Sequence, residues 1–486
     1  MKVLLIYPDI LSSSSNWPGY YYHGIGFLAA TLKKAGHSVN LLHLTQPVQK
    51  EEYQEKILSF GIPGVIGFSV TSNMWPYAKE WIDWTRRKFT NAIIICGGIH
   101  PTLNPTEVIG TNGIDAICLG EGEEALTELC GKLEAGRDIT KIHNIWIKNN
   151  GKIHKNPVRP LLKALDNLPF PDREIFDYLK LYHERINEAS VMASRGCPYR
   201  CSYCCNEALW KVYDKTPHYV RFRSVQNIIQ ELKQIISNYT FIKGFAFDDD
   251  ILPLNIKWFK EFVDEYKKEI GFPFTCNIRP DLINENVVKL LEKVGCRRVH
   301  MGIESGNDKI RNEILNRNIT KGQIIKAFSL CEENGIRLYS YNMIGLPEEN
   351  MREILDTVKL NAKVHADEYQ VSIFYPYKNT GLYDFCQTRG LISQKVVTDY
   401  FKDTILNFTP LRRKQILFSK SFFRYLVNFY KLFFKLPSSF SDVCIKTLDG
   451  LFCSRIGFQI ISFVFTNSYL TLKKIKSWSY TVLKIG

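Results

Sequence analysis

The chain has 486 residues, of which 45% are apolar and 23% charged, with 13 cysteines and a formal net charge of +14. Its length predicts two to four domains at roughly 100–200 residues each, and its apolar and aromatic content excludes a disordered or fibrous chain. No apolar stretch reaches about 18 residues and no cleavable leader is evident, so neither a spanning helix nor secretion is expected. The odd number of mostly scattered cysteines disfavours a disulfide framework and indicates a reduced, cytoplasmic protein.

The positive charge is concentrated near the C-terminal end. Residues 400–486 carry 14 Lys and Arg against 3 Asp and Glu, a net charge of +11, which leaves +3 for the preceding 399 residues. A basic tail on a nearly neutral chain predicts that the tail alone, and not the whole chain, contacts an acidic partner or surface. A nucleic-acid partner for the whole chain is therefore disfavoured.

The first 136 residues alternate between buried-strand and helical patterns. Helical stretches at 26–35 and 75–89 lie between apolar runs that are typical of parallel strands. The predicted strands are KVLLIY (2–7), VNLLHL (39–44), GVIGFSV (64–70), AIIICGG (92–98) and DAICLG (115–120). This pattern predicts an α/β domain over residues 1–136, a doubly wound parallel sheet with its ligand beyond the carboxyl ends of the strands.

A second α/β block is predicted over residues 186–395. Residues 137–185 are predicted to form a connector, with a hairpin at 149–151 and a segment bounded by prolines at 157–171. The strands of the second block are predicted near 190–194, 242–248, 272–278, 297–303, 337–344 and 369–375, and its helices at 225–237, 255–268, 284–294 and 321–334. Six βα units predict a partial barrel, fewer than the closed TIM form has, and residues 396–486 are expected to be mainly α-helical.

Three cysteines lie within eight residues of the loop after the first strand of that block, in the order Cys197-Pro-Tyr-Arg-Cys201-Ser-Tyr-Cys204. Thiolates are preferred ligands of zinc and of iron–sulfur clusters. Zinc usually takes a second pair of ligands at matching spacing, and the sequence shows none. Ordinary reduced thiols are the plain alternative. Cys205 lies outside the spacing and is expected to be a neighbour rather than a ligand.

The spacing C-x3-C-x2-C at the opening of a βα barrel resembles the radical S-adenosylmethionine (SAM) superfamily. The resemblance implies that Cys197, Cys201 and Cys204 hold a [4Fe–4S] cluster whose fourth iron is chelated by SAM. An external electron donor of the flavodoxin or ferredoxin type would then drive cleavage of SAM to a 5′-deoxyadenosyl radical. The pattern assigns no catalytic side chain.

The same resemblance implies SAM contacts in the cysteine loop and at the carboxyl ends of later strands. The predicted contacts are Tyr203, Asp248, Asp249, Arg279, Glu304, Ser305 and Gly345. Taken alone, each of these residues is weak evidence for a SAM site. Taken together they are stronger evidence, because most of them follow the carboxyl ends of strands. The acidic turn at 248–250 and Glu304 can equally cap the helices that follow them.

A doubly wound domain before such a barrel resembles the cobalamin-binding radical SAM enzymes. The matching segments are VLLIYPD (3–9), GFSVTSN (67–73), GGIHPTLNP (97–105) and LGEGEEAL (119–126). The resemblance implies cobalamin contacts from Ser69, Thr71, Gly97, Gly98, His100, Gly120, Glu121 and Gly122. Glycines suit this role because a flat macrocycle or nucleotide tail needs close approach of the backbone.

One departure from the cobalamin pattern concerns the cobalt ligand. Many cobalamin domains carry Asp-x-His-x-x-Gly after the first strand, whereas residues 8–15 read PDILSSSS here. Neither His23 nor His37 has the required spacing, so cobalamin is expected to bind without a histidine on cobalt. The alternative is a domain that has lost cobalamin and serves as a scaffold or dimer surface.

The tail contains two stretches in which aromatic and basic residues alternate. In the first, 422–435, Arg424, Asn428, Lys431 and Lys435 follow helical spacing, and the second runs over 456–476. Such a helix suits a membrane interface and equally suits packing on the barrel with a basic outer face. The first interpretation predicts that residues 418–436 dock on an anionic membrane surface or present the enzyme to a lipid-like substrate.

The resemblance implies a cobalamin-dependent radical SAM enzyme. Its reaction is expected to be methylation of an unactivated carbon of a small-molecule or lipid-like substrate, with cyclisation or rearrangement as the other outcomes in the same group. A tRNA-modifying methylthiotransferase is the alternative enzyme, but its three extra cluster cysteines would have to be Cys96, Cys118 and Cys130, which lie in predicted strands and a helix. A non-catalytic cobalamin or iron–sulfur protein is disfavoured, because an open iron has little purpose without SAM.

Overall fold

The computed structural model describes residues 1–10, 17–395, 397, 399 and 402–467. Its first sheet has seven strands, five of which coincide with the predicted apolar runs. They are β1 (Lys2–Pro8), β2 (Ser38–Leu44), β3 (Val65–Ser69), β4 (Ile93–Gly97), β5 (Ala116–Cys118), β6 (Ile145–Asn149) and β7 (Lys152–Lys155). The helices between them are α1 (His23–Lys34), α2 (Lys50–Leu58), α3 (Trp75–Lys88), α4 (Ile99–Leu103), α5 (Pro105–Ile109) and α6 (Glu123–Glu134).

The strand order of this sheet is β2-β1-β3-β4-β5-β6-β7, and its first five strands pair in parallel. Strand β1 is buried from Val3 to Pro8 because helices cover both faces of the sheet. The chain leaves β1 toward β2 and leaves β3 toward β4, on opposite sides, so a crevice opens between the carboxyl ends of β1 and β3. The predicted doubly wound sheet is confirmed.

The hairpin predicted at 149–151 is present, but it does not stand alone in a connector. Strand β6 pairs antiparallel with β5, and β7 pairs antiparallel with β6. Asn150 and Gly151 both have positive φ, as a tight two-residue hairpin turn requires. The hairpin therefore extends the first sheet, and only the chain after it links the two blocks.

The second sheet has six strands, and each predicted strand of that block is found. They are β8 (Glu188–Val191), β11 (Gly244–Phe247), β12 (Phe274–Ile278), β13 (Cys296–Glu304), β14 (Arg337–Ile344) and β15 (Glu368–Ile373), with a separate pair β9 (Ser194–Arg195) and β10 (Arg221–Phe222). The helices of this block are α7 (Cys205–Val212), α8 (Val225–Asn238), α9 (Ile256–Glu269), α10 (Glu285–Lys293), α11 (Lys321–Glu333), α12 (Met351–Lys363) and α13 (Gly381–Thr388).

The six strands follow one another in the order β8-β11-β12-β13-β14-β15 and pair in parallel. The helices that follow them start at polar side chains that accept backbone N–H bonds, which fixes where each helix begins. These N-cap residues are Ser224, Asn255, Asn284, Thr320 and Asn350. The predicted partial barrel is confirmed, with β8 and β15 as its two edges.

The tail contributes the helices α14 (Pro410–Phe434), α15 (Ser438–Cys453) and α16 (Arg455–Asn467). Helix α14 packs along α12, and its inward side chains Phe418, Phe422, Leu426 and Tyr430 are buried. The structure therefore confirms a mainly helical tail. It also shows that these aromatic side chains of the 418–436 segment pack within the protein, as the barrel-packing interpretation predicts.

Among the described residues, no single helix has the length and apolar character of a membrane span. Helices α15 and α16 satisfy both criteria only when taken together, and they are bent by 99° at the break between them. Residues 468–476 of the second aromatic-basic stretch, and residues 11–15 of the loop after β1, lie outside the described residues.

Candidate functional site

The cysteine loop joins β9 to α7 and is tied to the far side of the half-barrel. The Ser202 backbone N–H donates to the Leu315 carbonyl (3.1 Å), and the Leu382 N–H donates to the Ser202 carbonyl (2.8 Å). The Ser202 hydroxyl also donates to the Ile314 carbonyl (2.6 Å). Because Ser202 lies between Cys201 and Cys204, these bonds fix the segment that carries both thiols.

The three thiols of this loop lie close enough to influence one another. The pKa of Cys197 is raised to about 12, chiefly by burial, with Asp250, Cys204 and Cys201 acting in the same direction. The Arg279 guanidinium donates to Cys201 Sγ (3.6 Å), and the Asn206 amide donates to Cys204 Sγ (3.8 Å). In the described part of the chain, no three His, Cys, Asp or Glu side chains form a site for a single metal ion. In a [4Fe–4S] cluster each thiolate binds a different iron, so the three sulfurs need not meet at a single point.

Cys205 is the first residue of α7, and its side chain is hydrogen-bonded to Cys204. The S–H of Cys205 lowers the pKa of Cys204, while the same contact raises the pKa of Cys205. The neighbouring thiol therefore stabilises a thiolate on Cys204 and stays protonated itself.

Tyr203 and Glu304 meet at a buried arginine that the sequence patterns did not reveal. Arg317 Nη1 donates to Tyr203 Oη (2.6 Å) and to Glu304 Oε1 (3.0 Å). Arg279 joins the group because its Nη2 donates to the Arg317 carbonyl (2.8 Å). Three predicted SAM residues thus converge beside Cys201. Arg317 lies in an irregular segment with no motif spacing, so only the fold brings it here.

Three other predicted SAM residues are turned away from this group. The fully buried Asp249 accepts two backbone bonds from Ala193 N–H (3.1 Å each) and one from the Ser194 hydroxyl, so it supports the chain that enters the cysteine loop. Burial raises the pKa of Asp249 to about 6. Ser305 is fully buried under α12, and Gly345 packs against Ile373 and Ile416. The structure does not bring these three residues to the cysteine loop.

A cavity of about 530 Å³ lies between the two sheets. From the first sheet it is lined by Ser69, Gly97, Gly98, Gly120, Glu121 and Gly122, and from the second block by residues that include Met192, Arg195, Asn206 and Tyr213. Six of the eight predicted cobalamin contacts therefore share one cavity. Thr71 and His100 do not line it. The Thr71 hydroxyl donates to the Asn73 side chain, and the His100 ring lies 4.9 Å from that of Trp75 in a tilted arrangement.

Two of these glycines are required by the shape of the backbone. Gly98 (φ +98°) and Gly120 (φ +73°) adopt conformations that other residues rarely take. A Cβ on Gly98 would lie 2.9 Å from the Val70 backbone, and one on Gly120 would lie 1.9 Å from Tyr213 Oη. Both glycines are therefore required by packing within the protein itself. Together with Gly97 and Gly122 they give the cavity a wall with few side chains, the glycine cradle.

Glu121 joins the two domains at the rim of the cavity. Arg195 donates to Glu121 (3.0 Å) and to Glu123 (2.7 Å), and Arg221 donates to Glu121 (2.8 Å). Burial raises the pKa of the Glu121 carboxyl, but the two guanidinium groups outweigh it and hold that pKa below its usual range. Glu121 thus forms ion pairs that join the two domains.

His23, which has the wrong spacing for the expected cobalt ligand, nevertheless lines the cavity. Its Nε2 lies 2.9 Å from Ser190 Oγ and 3.1 Å from Asp248 Oδ2. Burial alone would raise the pKa of Asp248, but these hydrogen bonds lower it overall. His23 and Asp248 are far apart in sequence, so no local signal links them.

Comparison with known proteins gives matches in both blocks. The profile of the Radical SAM superfamily matches residues 191–360, and that of the B12 binding domain matches residues 19–130. The chain therefore combines a B12-binding domain with a radical SAM domain that follows it. The predictions of a [4Fe–4S] cluster with SAM in one domain, and of cobalamin in the other, are confirmed at the level of these domain types.

Relatives of the whole chain support the same family. An uncharacterised methyltransferase of Pyrococcus horikoshii is 29% identical over 398 residues, covering 81% of this chain and 84% of the relative. The anaerobic magnesium-protoporphyrin IX monomethyl ester cyclase of Rubrivivax gelatinosus is 25% identical, covering 79% and 69%. The solved structure of OxsB, with aqua-cobalamin and S-adenosylmethionine bound, has a TM-score of 0.67 at 16% identity, covering 97% and 75%, and shows a shared fold.

Proposed function

We propose that this enzyme methylates an unactivated carbon of a small-molecule or lipid-like substrate. The observation that carries the proposal is the shared cavity, which has the glycine cradle on one wall and Asn206, at the cysteine loop, on the other. The cofactors supply radical hydrogen abstraction and a transferable methyl group. The protein's own residues hold those cofactors side by side and close the space around them.

The cluster ligands are proposed to be Cys197, Cys201 and Cys204, with Cys205 as their neighbour. Their support is the bonding of the loop through Ser202 and the donors aimed at two of the sulfurs. Tyr203, Arg279 and Glu304 are proposed to contact SAM, together with Arg317, since this group lies beside Cys201. Asp248, which lines the cavity, is proposed to contact SAM from that side.

Cobalamin is proposed to bind in the cavity without a histidine on cobalt. Of the described histidines, His23 lines the cavity, and its Nε2 is already bonded to Ser190 and Asp248. The electron paramagnetic resonance spectrum of the bound Co(II) state should therefore show no nitrogen coupling from a protein histidine, and His23→Phe should leave that spectrum unchanged.

Methylthio transfer is the weaker candidate. Its additional cluster would need Cys96, Cys118 and Cys130, which are buried in β4, β5 and α6. These three cysteines come from two strands and a helix, whereas Cys197, Cys201 and Cys204 lie in one loop between β9 and α7. Methyl transfer needs no second cluster.

The test of the main proposal is anaerobic reconstitution with iron, sulfide and cobalamin. Reduction through a flavodoxin or ferredoxin system should give SAM cleavage and an iron–sulfur absorbance, and labelled methyl groups should appear on candidate substrates. Cluster formation without SAM cleavage would contradict the radical step. SAM cleavage with no bound cobalamin would contradict methyl transfer and leave the first domain as a scaffold.

We also propose that the outer face of α14 holds the protein against an anionic membrane on the cytoplasmic side. Tyr425, Phe429 and Leu432 follow one helical stripe on this face, and Leu436 lies just past the end of the helix. These four side chains are 45%, 42%, 60% and 42% exposed. A helix that served only to pack on the barrel would present polar residues there. Exposed apolar side chains continue onto the next two helices at Phe440, Val443, Ile456 and Phe463.

The charge of α14 favours a lipid surface over a second copy of the chain. The helix contains Arg412, Arg413, Lys414, Lys420, Arg424 and Lys431 and no acidic residue. Two such helices side by side would bring like charges together, whereas each basic residue near an anionic membrane contributes about 1 kcal/mol. The attachment is therefore expected to be reversible and sensitive to salt.

Vesicle flotation tests the membrane proposal on the full chain. Phosphatidylglycerol vesicles should carry the protein at low salt and release it at high salt, and the double variant Leu432→Gln, Leu436→Gln should bind several-fold less. Ile62→Gln is the matched control, because Ile62 is 84% exposed on the first domain. Equal flotation of all three proteins, or a dimer in sedimentation equilibrium that the double variant abolishes, would overturn the assignment.

A further inference from the structure

An open cavity of about 610 Å³ lies where α12 and α14 end, apart from the cofactor cavity between the two sheets. Four of the six residues that line it are basic, and no carboxylate is among them. None of the six lines the cofactor cavity. The lining residues are Ala362, Lys363, His365, Lys431, Phe434 and Lys435. We call this space the basic pocket.

The basic pocket is formed by the ends of two packed helices. Helices α12 and α14 lie side by side, with Val358 of the first and Leu426 of the second buried in one core. Helix α12 ends at Lys363, and α14 ends at Phe434. The chain turns at His365 (φ +50°), in the left-handed conformation that commonly follows a helix. Both helices therefore stop at the pocket, and their last side chains surround it.

An aromatic ring holds one of the lysines at the pocket. Lys363 Nζ lies 5.0 Å from the centroid of the Phe434 ring. A cation over the face of a ring is attracted by the ring's electrons, so this contact joins the end of α12 to the end of α14. The ring fixes the position of the ammonium group without neutralising its charge.

The three lysines of the pocket have no carboxylate partner. In the part of the chain that the structure describes, no ion pair joins Lys363, Lys431 or Lys435 to an acidic side chain. By contrast, Lys359, one turn before Lys363 on α12, is ion-paired with Asp449 (2.8 Å). Ion pairing along α12 therefore stops short of the pocket.

Two carboxylates near the pocket have other partners. Glu332 Oε1 lies 3.6 Å from His365 Nδ1, and Asp367 Oδ2 accepts a backbone N–H of β14 (2.7 Å). Burial lowers the pKa of Lys431, and the Lys435 ammonium acts in the same direction. The two carboxylates oppose this shift without reversing it. A bound anion would supply the negative charge that they do not.

The helix ends alone do not account for so many cations. Each helix C-terminus carries about half a negative charge, which favours a basic residue in its last turn. Lys363 fills this place on α12. On α14, Lys431 and Lys435 lie four residues apart on one face, where like charges repel. Three lysines around one space therefore exceed what two helix ends require, and an anion between them would remove the repulsion.

Exposed apolar side chains beside the pocket indicate the source of such an anion. Leu432 and Leu436 each follow a pocket lysine by one residue, and they are 60% and 42% exposed. Successive residues of a helix are about 100° apart, so the basic edge of α14 lies next to its apolar stripe. A membrane lipid has the same two features side by side, because its phosphate adjoins its apolar chains.

We propose that the basic pocket binds a phosphate group, the terminal monoester of an anionic lipid headgroup. This inference rests on the proposed membrane contact of α14 and assigns a lipid class to it. A phosphate monoester carries about −1.5 to −2 charges near neutral pH and three acceptor oxygens, whereas the phosphodiester of most lipids carries a single charge. Lysine binds phosphate as a point charge, so three ammonium groups around one space favour the monoester.

Vesicle flotation at matched surface charge tests the choice of headgroup on the full chain. Phosphatidylcholine vesicles receive either phosphatidic acid, a monoester, or phosphatidylglycerol, a diester, in amounts that give equal zeta potentials. The protein should bind the phosphatidic acid vesicles about 3- to 10-fold more tightly. Attraction to surface charge alone would give equal binding.

Paired lysine variants separate the pocket from the general charge of the tail. The pocket variant, Lys363→Gln with Lys435→Gln, should bind both kinds of vesicle equally. Lys414→Gln with Lys446→Gln is the matched control, because it removes the same charge from exposed sites on α14 and α15 outside the pocket. The control should bind both vesicles more weakly and keep the preference for phosphatidic acid.

Glycerol 3-phosphate, a soluble molecule with the same monoester, separates the pocket from the membrane. By calorimetry it should bind the wild type and the control but not the pocket variant. Such binding without a preference between the vesicles would retain the phosphate site and overturn its lipid source. Such binding without flotation on either lipid would also overturn the membrane contact of α14.

Two results would overturn the basic pocket itself. A preference for phosphatidic acid that persists in the pocket variant would place the phosphate site elsewhere. Equal binding of the charge-matched vesicles, together with no binding of glycerol 3-phosphate, would show that the pocket takes no phosphate. In that second case the flotation would still support the membrane contact, so the two proposals fail separately.

Discussion

At the scale of single residues, Arg317 organises the groups beside the cysteine loop. It binds Tyr203 and Glu304 and also donates to the Gly302 carbonyl (2.9 Å). Glu304 itself has φ +62°, a strained conformation for a non-glycine residue, at an irregularity in the pairing of β13 with β14. Strain of this kind costs about 1–3 kcal/mol and persists where the surroundings hold it. The arginine is the group that holds it here.

Arg317→Lys is expected to weaken SAM binding about 10-fold or more while leaving the cluster intact. Lysine keeps the charge but cannot bond Tyr203, Glu304 and Gly302 together as the guanidinium fork does. Calorimetric titration of the reconstituted protein with SAM would measure the loss. Arg297→Lys is the control, since Arg297 forms a more exposed ion pair with Glu188. A similar loss of SAM affinity in both variants would mean that Arg317 affects binding only by stabilising the fold.

Alanine substitution of Cys197, Cys201 or Cys204 is expected to abolish the iron–sulfur absorbance. Cys205→Ala should retain it, because Cys205 begins α7 and bonds Cys204 rather than facing the other thiols. Iron and sulfide content per chain would be measured with the absorption spectrum. Full cluster content in Cys201→Ala would contradict the assignment of all three ligands.

At the scale of elements, the loop from β14 to α12 depends on a carboxyl group that burial keeps protonated. Glu349 Oε2 accepts from the N–H groups of Gly345 (2.6 Å) and Leu346 (3.1 Å), while its Oε1 is buried without a partner. Burial raises the pKa of Glu349 to about 8. The strand end is therefore built around a group that is neutral near physiological pH.

This carboxyl predicts a pH-dependent stability. The folded state keeps a proton that the unfolded chain releases above about pH 4.3, so the contribution is complete below that pH and is lost as the pH rises toward about 8. The free energy of unfolding should fall by about 2 kcal/mol between roughly pH 6 and pH 8 from this group alone. Denaturant titrations of wild type and Glu349→Gln would show it, because the amide does not titrate. Parallel pH profiles for the two proteins would contradict the assignment.

Some elements of the fold could be predicted from the sequence, and others could not. Strands such as β14 and helices such as α8 were predictable because apolar residues repeat at the period of each element. The pairing of β6 with β5 was not, since the hairpin at 149–151 has the same local pattern whether it stands alone or extends a sheet. The cysteine loop could be predicted from its spacing. Arg317 could not, because long-range packing alone brings it to Glu304.

At the scale of the whole molecule, two α/β domains enclose a cavity whose walls come from both. The ion pairs of Glu121 with Arg195 and Arg221 close one side of this interface. The contact of His23 with Ser190 and Asp248 closes another. A third contact joins Lys378 to Glu107 at the outer edge. These polar contacts therefore join the domains around the cavity, together with packing such as that of the Arg195 guanidinium on the Phe27 ring (4.9 Å).

The last prediction concerns the contact that lies at the cavity rim. Glu121→Gln removes the negative charge that Arg195 and Arg221 share. Arg195 keeps its bond to Glu123, whereas Arg221 loses its carboxylate partner. Because a buried charge without its partner is costly, the interface is expected to relax and the cavity to widen. Cobalamin binding should weaken about 10-fold, equivalent to about 1.4 kcal/mol, while iron content stays unchanged because the cysteine loop is bonded to the half-barrel. Equilibrium dialysis with hydroxocobalamin would measure the affinity.

Glu107→Gln is the matched control, since it breaks an exposed ion pair between the same two domains, where solvent and salt screen the charge. Unchanged cobalamin affinity in Glu121→Gln, or an equal loss in Glu107→Gln, would show that the rim contact does not set the width of the cavity.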